Sequence, residues 1–221
     1  MATMHFEAVL FDLDGTLLDT IQDLADSMNE TLGHFGFPLH KMEQYKYFIG
    51  NGMENLVRRS LPETAAQNPV IYSDCLSTMR RIYGAKADKS TRPYPGIPEL
   101  LDQLSDRRIK MSILSNKPDD LTQKVVVKFL AKWRFEAVMG ERPPTPRKPD
   151  PTSAIGIAHQ LAIHPEKFIY LGDTSTDMET ATGAGMYAVG ALWGFRDAEE
   201  LVASGARKLI ESPSELLSLL G

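Results

Sequence analysis

Short, continuous apolar runs that alternate with helical patterns restrict the fold of this sequence more than any other feature. Runs that are apolar at every position, rather than at alternate positions, are typical of parallel strands whose two faces are both buried. The stretches between the later runs repeat apolar residues with the period of a helix, as in the pattern from Ile97 to Leu104. The predicted strands are residues 8–11, 109–114, 137–139, 168–171 and 186–189. Strands alternating with helices predict an α/β fold, a doubly wound parallel sheet with helices on both faces.

Residues 19–88 break that alternation. Three helical patterns follow one another there without a strand pattern between them, and the first starts at Thr20 and Asp23, which are spaced like a capping box. A stiff, proline-rich turn marks the return to the alternating pattern. We therefore predict two domains, a core formed by residues 1–18 and 89–221 and an all-helical cap formed by residues 19–88.

The charge balance and the single cysteine limit the kinds of partner and compartment. The chain has 24 Lys and Arg residues against 29 Asp and Glu residues, so its net charge is −5 and it lacks the basic footprint of a nucleic-acid or membrane-surface binder. Cys75 is the one cysteine, which excludes an intramolecular disulfide and favours a reducing compartment. We see no signal-peptide pattern and no apolar stretch near the roughly 20 residues of a membrane span. We expect a cytoplasmic protein, monomeric or homodimeric, with no nucleic-acid or membrane partner.

A pair of carboxylates follows the first predicted strand. Asp12 and Asp14 leave that strand two residues apart, and Gly15 permits a sharp turn that points both of them into one crevice. Two negative charges held this close require either a cation or a shared proton. A magnesium ion would supply the first, and acid/base chemistry would use the second. The alternative is an Asp-rich turn that only caps the next helix.

Three further polar segments follow later strands or lie between them. Ser115 and Asn116 can hold phosphoryl oxygens at a strand end, although a Ser-Asn pair is also common in ordinary loops. Lys148 stands in a proline-rich segment, which either delivers one cation to a fixed place or is a solvated loop. Asp173 and Asp177 follow a buried strand. Asp177 alone would serve as a helix cap, whereas a carboxylate at the position of Asp173 needs a partner.

Together these segments predict phosphoryl transfer. Ligands of open parallel sheets bind at the carboxyl ends of the strands, which is where the segments fall. Two acidic clusters suit a hard divalent cation, one lysine neutralises phosphate charge, and a carboxylate can attack phosphorus. The sequence has no P-loop, no His-Glu-x-x-His pattern and no paired-cysteine zinc pattern, which excludes nucleotide or zinc-dependent hydrolysis by those routes.

In this order and spacing the motifs resemble those of the haloacid dehalogenase superfamily, and its phosphatase branch in particular. They are the DxDGT segment 12–16, Ser115-Asn116, Lys148 before Pro149, and the GDxxxD segment 172–177. A helical insertion after the first motif is similar to that of the subgroup with a small helical cap. Within this subgroup, residues 48–52 followed by Arg58 and Arg59 resemble the phosphoglycolate phosphatases.

The resemblance implies a role for each matching residue. Asp12 would be the nucleophile that forms an aspartyl-phosphate, and Asp14 would protonate the leaving alcohol and then activate water. The ligands of Mg²⁺ would be Asp12, the backbone carbonyl of Asp14, Asp173 and, in support, Asp177. The groups that hold the phosphate would be Thr16, Ser115, Asn116 and Lys148. The cap residues that reach the substrate would be Gly50, Asn51 and Gly52 together with Arg58 or Arg59, unless this segment is only an interhelical loop followed by solvated arginines.

We therefore predict a magnesium-dependent phosphatase that hydrolyses a small phosphorylated metabolite, with 2-phosphoglycolate as the leading candidate. The alternatives on the same frame are a pyrophosphatase, a sugar-phosphate phosphatase and a phosphomutase. A non-catalytic binding protein that kept the fold would lack at least one motif residue, and none is missing here.

Overall fold

The computed structural model describes residues 5–220, and a six-stranded parallel sheet forms its centre. The strands are β1 Ala8–Phe11, β2 Leu18–Asp19, β3 Arg92–Pro93, β4 Lys110–Pro118, β5 Ala137–Glu141, β6 Phe168–Gly172, β7 Tyr187–Ala191 and β8 Lys208–Ile210. The order in the sheet is β5-β4-β1-β6-β7-β8, whereas β2 and β3 pair separately as a short antiparallel ladder. The chain leaves β1 towards one edge of the sheet and leaves β6 towards the other. The crevice of a doubly wound fold therefore lies between the ends of β1 and β6.

Ten α-helices surround and extend this sheet within the described residues. They are α1 Ile21–His34, α2 Met42–Phe48, α3 Met53–Ser60, α4 Glu63–Gln67, α5 Pro69–Lys86, α6 Ile97–Asp106, α7 Asp119–Phe129, α8 Thr152–Gln160, α9 Ser175–Ala184 and α10 Ala198–Ala203. Two 3-10 helices, Pro165–Lys167 and Pro213–Leu219, complete the fold. In the part of the chain that the structure describes, no helix combines the length and the apolar character needed to cross a membrane.

The continuous apolar runs are explained by burial on both faces of the sheet. Val9 and Phe11 of β1 pack into one hydrophobic cluster, while Ala8 and Leu10 pack into another on the opposite face. All four side chains are fully buried. A strand in this position has no solvent-facing side, and alternation of polar with apolar residues is therefore absent.

The predicted fold class is confirmed, and each of the five predicted strands is present. Three strands were not predicted: the edge strand β8 and the two strands of the β2–β3 ladder. Each has at most three residues, so a period of two cannot be recognised in it. Helices α1 to α5 form the inserted helical cap. Their mutual packing centres on α1 and α5, where Met28, Leu32, Met79 and Tyr83 are fully buried.

The two chain crossings between the cap and the core are tied to each other. In the β2–β3 ladder Leu18 pairs with Pro93 and Asp19 pairs with Arg92. One turn further into the cap, the buried carboxylate of Asp23 accepts hydrogen bonds from the backbone N–H groups of residues 90 and 91, at 2.9 Å each. The hydroxyl of residue 91 donates to the same carboxylate at 2.7 Å. The cap therefore begins and ends at one place.

The predicted capping box at Thr20 and Asp23 is wrong. Thr20 directly precedes α1, at its N-cap position, with φ −111° and ψ 0°, and its side chain makes no capping hydrogen bond. An N-cap residue normally has an extended backbone, which aims its hydroxyl at the free N–H groups of the first turn. Asp23 is buried and takes the three donors of residues 90 and 91 instead. The domain boundaries remain a prediction, and residues 1–4 and 221 of the predicted core lie outside the described residues.

Candidate active site

Three buried carboxylates meet at the crevice between β1 and β6. Asp12 directly follows β1, and its backbone N–H donates to the carbonyl of Leu171 on β6 at 2.9 Å. Asp173 directly follows β6, and Asp177 lies in the first turn of α9. One carboxylate oxygen from each of the three aspartates lies within 4.8 Å of the others. The structure therefore brings both predicted acidic clusters together at one point.

Asp173 is held from two sides and has no access to solvent. The Thr16 hydroxyl donates to Asp173 Oδ1 at 2.8 Å, and the Phe195 backbone N–H donates to Oδ2 at 2.8 Å. A Cβ atom on Gly15, whose φ is +94°, would come within 2.3 Å of Asp173 Oδ2. Glycine is therefore required here both for the turn and for the close approach of Asp173. The hydroxyl of Thr16, which was predicted to bind phosphate, orients Asp173 in this structure.

Lys148 joins the two acidic clusters. Its Nζ atom lies 2.6 Å from Asp12 Oδ1 and 2.7 Å from Asp177 Oδ1, and it also donates to the Leu114 carbonyl at 3.0 Å. The other oxygen of Asp177 accepts hydrogen bonds from the backbone and the hydroxyl of Thr174 at 3.1 and 2.8 Å. Asp177 thus caps α9 and also faces the crevice. The helix-cap role that the sequence offered for this residue is present, and its part in metal binding stays a prediction.

The protonation equilibria of the cluster show an excess of buried negative charge. Burial raises the pKa of Asp12 to about 7, even though the neighbouring Lys148 lowers it. Burial, reinforced by the charges of Asp12 and Asp177, raises the pKa of Asp173 well above its ordinary value. Although burial opposes the charged lysine, the adjacent carboxylates raise the pKa of Lys148 well above its ordinary value. Three carboxylates against one ammonium, all with oxygen donors, fit a hard divalent cation.

The C-terminal part of β4 positions Lys148. The Asn116 side chain pairs with the main chain of Lys148, accepting from its N–H at 2.9 Å and donating to its carbonyl at 3.0 Å. The Ser115 hydroxyl accepts a hydrogen bond from the backbone of Lys117 at 3.2 Å and lines the cavity beside Asp12. In this structure Asn116 therefore supports the lysine, while Ser115 is open to a ligand.

Lys117 is a site residue that the sequence analysis missed. Its Nζ atom contacts both carboxylate oxygens of Asp14, at 2.6 and 2.7 Å, and its side chain is 3% exposed. The Tyr83 ring, on α5 of the cap, covers the ammonium at 4.8 Å from its centroid. The one signal in the sequence was the position of Lys117, the third polar residue in succession at the end of a buried strand.

A cavity lies between the cap and the core, and residues of both line it. Its core side carries most of the polar groups, and its cap side is mainly apolar. The core residues that line it are Asp12, Asp14, Ser115, Asn116, Lys117 and Pro118. The cap residues that line it are Leu24, Ile49, Gly50, Gly52, Met53, Leu56 and Tyr83.

The loop of residues 50–52 lies against the core with two glycines in backbone conformations that favour glycine. Gly50 has φ +113° and Gly52 has φ +86°. A Cβ atom on Gly52 would lie 3.2 Å from the carbonyl oxygen of Asn116, so a side chain there would push the cap away from the core. Asn51 between them donates to the Thr176 hydroxyl at 2.7 Å. The structure thus places the two glycines at the cavity, and Asn51 in a contact between the domains.

Neither arginine of the predicted pair lines the cavity among the described residues. Arg58 stacks over the Tyr72 ring, 4.3 Å from its centroid, and donates to a backbone carbonyl of α4 at 3.3 Å. Arg59 donates to Asn51 Oδ1 at 2.8 Å and to two carbonyls at the end of α2 at 3.1 and 3.3 Å. Adjacent residues of a helix face different directions, which explains why their partners differ. The structure does not bring Arg58 to the site, and it gives Arg59 the role of fixing the loop.

Two core arginines that the sequence analysis did not consider also hold the cap in place. Arg196 follows β7 and donates to the carbonyl of Ile49 at 2.9 Å and to that of Lys46. Arg147 donates to Glu54 at the start of α3 at 3.2 Å. With the contact made by Asn51, these hydrogen bonds join the cap to the core on both sides of the glycine loop.

Comparison with known proteins agrees with this architecture. The family model of the haloacid dehalogenase-like hydrolases matches residues 9–191. A phosphoglycolate phosphatase of Aquifex aeolicus is 29% identical over 212 residues, covering 96% of this chain and 95% of its own. A phosphoglycolate phosphatase of Chromobacterium violaceum is 29% identical over 223 residues, covering 100% and 99%. A solved structure from Lactobacillus delbrueckii subsp. bulgaricus superposes with a TM-score of 0.91 at 27% identity, covering 98% and 99%. The chain belongs to the haloacid dehalogenase-like hydrolases.

Proposed function

We propose that this hydrolase is a magnesium-dependent phosphatase that cleaves a small phosphomonoester through an aspartyl-phosphate on Asp12, and that 2-phosphoglycolate is its substrate. Its enzyme class is that of the phosphoric monoester hydrolases. The observation that carries the proposal is the buried cluster of Asp12, Asp173 and Asp177 around Lys148, beside a cavity that also contains Asp14.

The cluster fits a magnesium ion in the kind and number of its donors. Asp12, Asp173 and Asp177 offer carboxylate oxygens within 4.8 Å of one another, and the backbone carbonyl of Asp14 is the proposed fourth ligand. A bound divalent cation would neutralise phosphate charge and favour the ionised carboxylates. Thr16 and the backbone of Phe195 hold Asp173 in place for that task.

The first half of the reaction uses Asp12. Its carboxylate oxygen attacks phosphorus, the phosphorus bond to the substrate alcohol breaks, and an aspartyl-phosphate forms. Lys148 holds Asp12 at 2.6 Å and presents a fixed positive charge to the phosphoryl oxygens, together with the Ser115 hydroxyl. Asp14 donates its proton to the oxygen of the departing alcohol.

The second half of the reaction uses Asp14 as a base. Its carboxylate takes a proton from water, the water oxygen attacks phosphorus, and the bond to Asp12 breaks, so that phosphate is released and Asp12 is regenerated. The side chains of Asp14 and Asp12 are 14% and 9% exposed, and both line the cavity. We assign the attack to Asp12, which contacts Lys148, and proton exchange with a ligand or water to Asp14, which is the more exposed.

The lining of the cavity supports a small substrate with one negative charge at its far end. The walls supplied by Leu24, Ile49, Met53 and Leu56 offer no hydrogen bonds to the hydroxyl groups of a sugar phosphate, and unpaired hydroxyls would lose their hydration there. Lys117 is the one basic side chain among the described residues that line the cavity. This supports a monocarboxylate more than pyrophosphate, whose second group carries more charge. Relatives that are similar over their whole length are phosphoglycolate phosphatases.

We further propose that the enzyme acts in the cytoplasm on a small phosphorylated metabolite. A single buried thiol, Cys75, agrees with a reducing compartment. The net charge of −5 gives no general attraction to nucleic acid or anionic membrane surfaces.

A turnover panel tests the proposal. It compares 2-phosphoglycolate, pyrophosphate and several sugar phosphates, each with magnesium and with an excess of chelator. We expect 2-phosphoglycolate to have the highest kcat/KM and chelator to abolish turnover. A sugar phosphate or pyrophosphate that exceeds 2-phosphoglycolate by more than about tenfold, which is roughly 1.4 kcal/mol in transition-state stabilisation, would replace the proposed substrate. Full turnover in chelator would contradict the metal dependence.

A further inference from the structure

The described lining of the cavity contains one basic side chain, supplied by the core, and one buried phenol hydroxyl, supplied by the cap. The basic side chain is Lys117, which lies at the end of β4. The hydroxyl belongs to Tyr83 on α5, which is fully buried; it faces the Lys117 ammonium, which can only donate to it, and its own proton has no acceptor in the described part of the chain. Burial raises the pKa of Tyr83 to about 12, so this group stays a neutral donor. A buried donor without an acceptor is costly, and it identifies a place where a ligand atom would be stabilised.

The ammonium of Lys117 already binds a carboxylate in this structure. Both oxygens of Asp14 lie within 2.7 Å of it, at 2.6 and 2.7 Å. The pair lies beside an apolar wall that includes Leu24 and Leu56, where charge–charge contacts are stronger than in water. The site around Lys117 is therefore shaped and charged for a carboxylate, and the carboxylate it holds is the one that must act on the leaving group.

We infer that Lys117 and Tyr83 form the subsite for the carboxylate of the substrate, and that the substrate takes Lys117 over from Asp14. The inference rests on the proposed function, because it names the residues that bind the carboxylate of 2-phosphoglycolate. A single methylene carbon separates the leaving oxygen of that substrate from its carboxylate. The group that binds the carboxylate must therefore lie beside the group that protonates the leaving oxygen, and Lys117 and Asp14 are in direct contact.

The exchange couples recognition to catalysis. When the substrate carboxylate binds Lys117, the carboxylate of Asp14 is released, takes up a proton from water in the cavity and turns its carboxyl group towards the leaving oxygen. A substrate with a neutral far end leaves Asp14 paired with Lys117, so Asp14 protonates its leaving group less often. Selectivity is then expressed in kcat as well as in KM, because the missing charge affects the chemical step.

The test compares 2-phosphoglycolate with 2-hydroxyethyl phosphate, in which a neutral hydroxymethyl group replaces the carboxylate. We define the selectivity ratio as kcat/KM for the first substrate divided by kcat/KM for the second. Loss of a charge-assisted contact predicts that Lys117→Met lowers this ratio by about 10- to 100-fold. Tyr83→Phe, which removes the hydroxyl and keeps the ring, lowers it by a smaller factor, and Lys117→Arg retains part of it. An equal loss for both substrates in Lys117→Met would overturn the inference, since Lys117 would then only hold Asp14.

Matched controls separate the subsite from general effects. Lys132→Met removes the same charge from an exposed ion pair with Asp102 on the core surface. Tyr72→Phe removes a hydroxyl that donates to a cap backbone carbonyl at 3.2 Å, on the side where Arg58 stacks. Both controls are expected to leave the selectivity ratio within about twofold of its original value, as is usual for surface substitutions. A fall in the ratio as large in Lys132→Met as in Lys117→Met would overturn the inference.

A binding measurement distinguishes failure of this inference from failure of the proposed function. Calorimetric titration of both compounds into Asp12→Asn with magnesium needs no turnover. We expect 2-phosphoglycolate to bind more tightly than 2-hydroxyethyl phosphate, and the difference to shrink by about tenfold or more when Lys117→Met is added to Asp12→Asn. An unchanged difference overturns the subsite whether or not the native enzyme turns over. Absence of turnover in the native enzyme, with the expected difference in binding, contradicts the proposed function and leaves the subsite supported.

Discussion

The core and the cap face each other across one cavity, yet they contribute different kinds of group to it. The core supplies buried charges at the ends of strands, such as Asp12 and Lys117, each fixed by short hydrogen bonds. The cap supplies apolar side chains, two glycines and one hydroxyl. In the proposed function, this difference assigns the reaction chemistry to the sheet, whereas the cap sets the size and polarity of the space left for the leaving group.

The largest expected effect concerns the core. Its absence would contradict the assignment of the reaction chemistry to the core. Asp12→Asn should lower kcat by at least about 10⁴-fold, because an amide cannot act as the attacking carboxylate. The amide is nearly the same size and can still accept from Lys148, so the circular dichroism spectrum should stay unchanged. Acid-quenched intact-mass analysis should show a phosphoryl adduct in the native enzyme and none in the variant. Asp102→Asn, an exposed core aspartate, is the control. Near-native turnover in Asp12→Asn would exclude covalent catalysis at this residue.

The second expected effect concerns the cation and is measured without turnover. Binding of magnesium to the native state at about ten times its Kd should stabilise the protein by about 1.4 kcal/mol, which corresponds to a rise in Tm of roughly 3–6 °C for a chain of this size. Asp173→Asn should weaken magnesium binding by at least about 100-fold and abolish the shift, since a hard cation loses one of few protein oxygens. Asp177→Asn should weaken it by roughly 10–100-fold, as expected for a residue that supports the ligands.

The same measurement has its own control. Asp26→Asn alters an exposed carboxylate on α1 that accepts a hydrogen bond from Gln22, and its shift in Tm should equal that of the native protein. If magnesium raised the Tm of Asp173→Asn as much as that of the native protein, the cation would bind elsewhere. The proposed metal-binding role of the core would then be wrong.

The smallest expected effect concerns the hydrogen bonds that hold the cap against the core. Arg196→Ala removes the hydrogen bonds to the carbonyls of Ile49 and Lys46, so the cap should close less often over the substrate. Net hydrogen bonds of about 0.5–1.5 kcal/mol predict a loss of roughly 2- to 10-fold in kcat/KM, by a similar factor for carboxylated and neutral substrates. Hydrogen exchange of residues 49–52 should speed up. Arg58→Ala is the matched control, because its partners lie within the cap.

An Arg58→Ala variant is expected to stay within about twofold of the native kcat/KM for both kinds of substrate. If its kcat/KM instead fell 10-fold or more with 2-phosphoglycolate alone, Arg58 would bind the substrate carboxylate in solution. The stacking of Arg58 on Tyr72 would then be replaced by a contact with the substrate during turnover.

The difference between core and cap also decides how much could be predicted from the sequence. In the core, β1 has a continuous apolar run because both of its faces are buried, and the residue after it must therefore lie at the sheet edge. The same reasoning placed Ser115, Asp173 and Lys148 near each other, and the structure brings them to the same crevice. Local pattern and topology are sufficient here, because the carboxyl ends of parallel strands share one edge.

The same reasoning could not predict the contacts within the cap or those between the cap and the core. Arg58 and Arg59 are equivalent as sequence, and their partners depend on the rotation of α3 relative to α2 and α4. The partner of Asp23 lies near residue 91, and no spacing within the helix reveals it. Lys117 stood directly beside a motif but had no recognised pattern, because its role comes from a contact with Asp14, which is 103 residues away along the chain. Long-range pairing, rather than composition, determines these cases.

The ladder between β2 and β3 has a consequence for how the length of the cap affects stability. Because Leu18 pairs with Pro93 and Asp19 with Arg92, residues 20–91 leave the core and return to it at a single closed junction. The entropy lost by closing an inserted segment of this kind rises only with the logarithm of its length, so that doubling the length costs about 0.6 kcal/mol. Insertions or deletions within residues 20–91 therefore lower the stability of the sheet very little while the junction remains intact. In the proposed function, the leaving-group side of the cavity is therefore free to change in size and shape without a comparable loss of stability in the core.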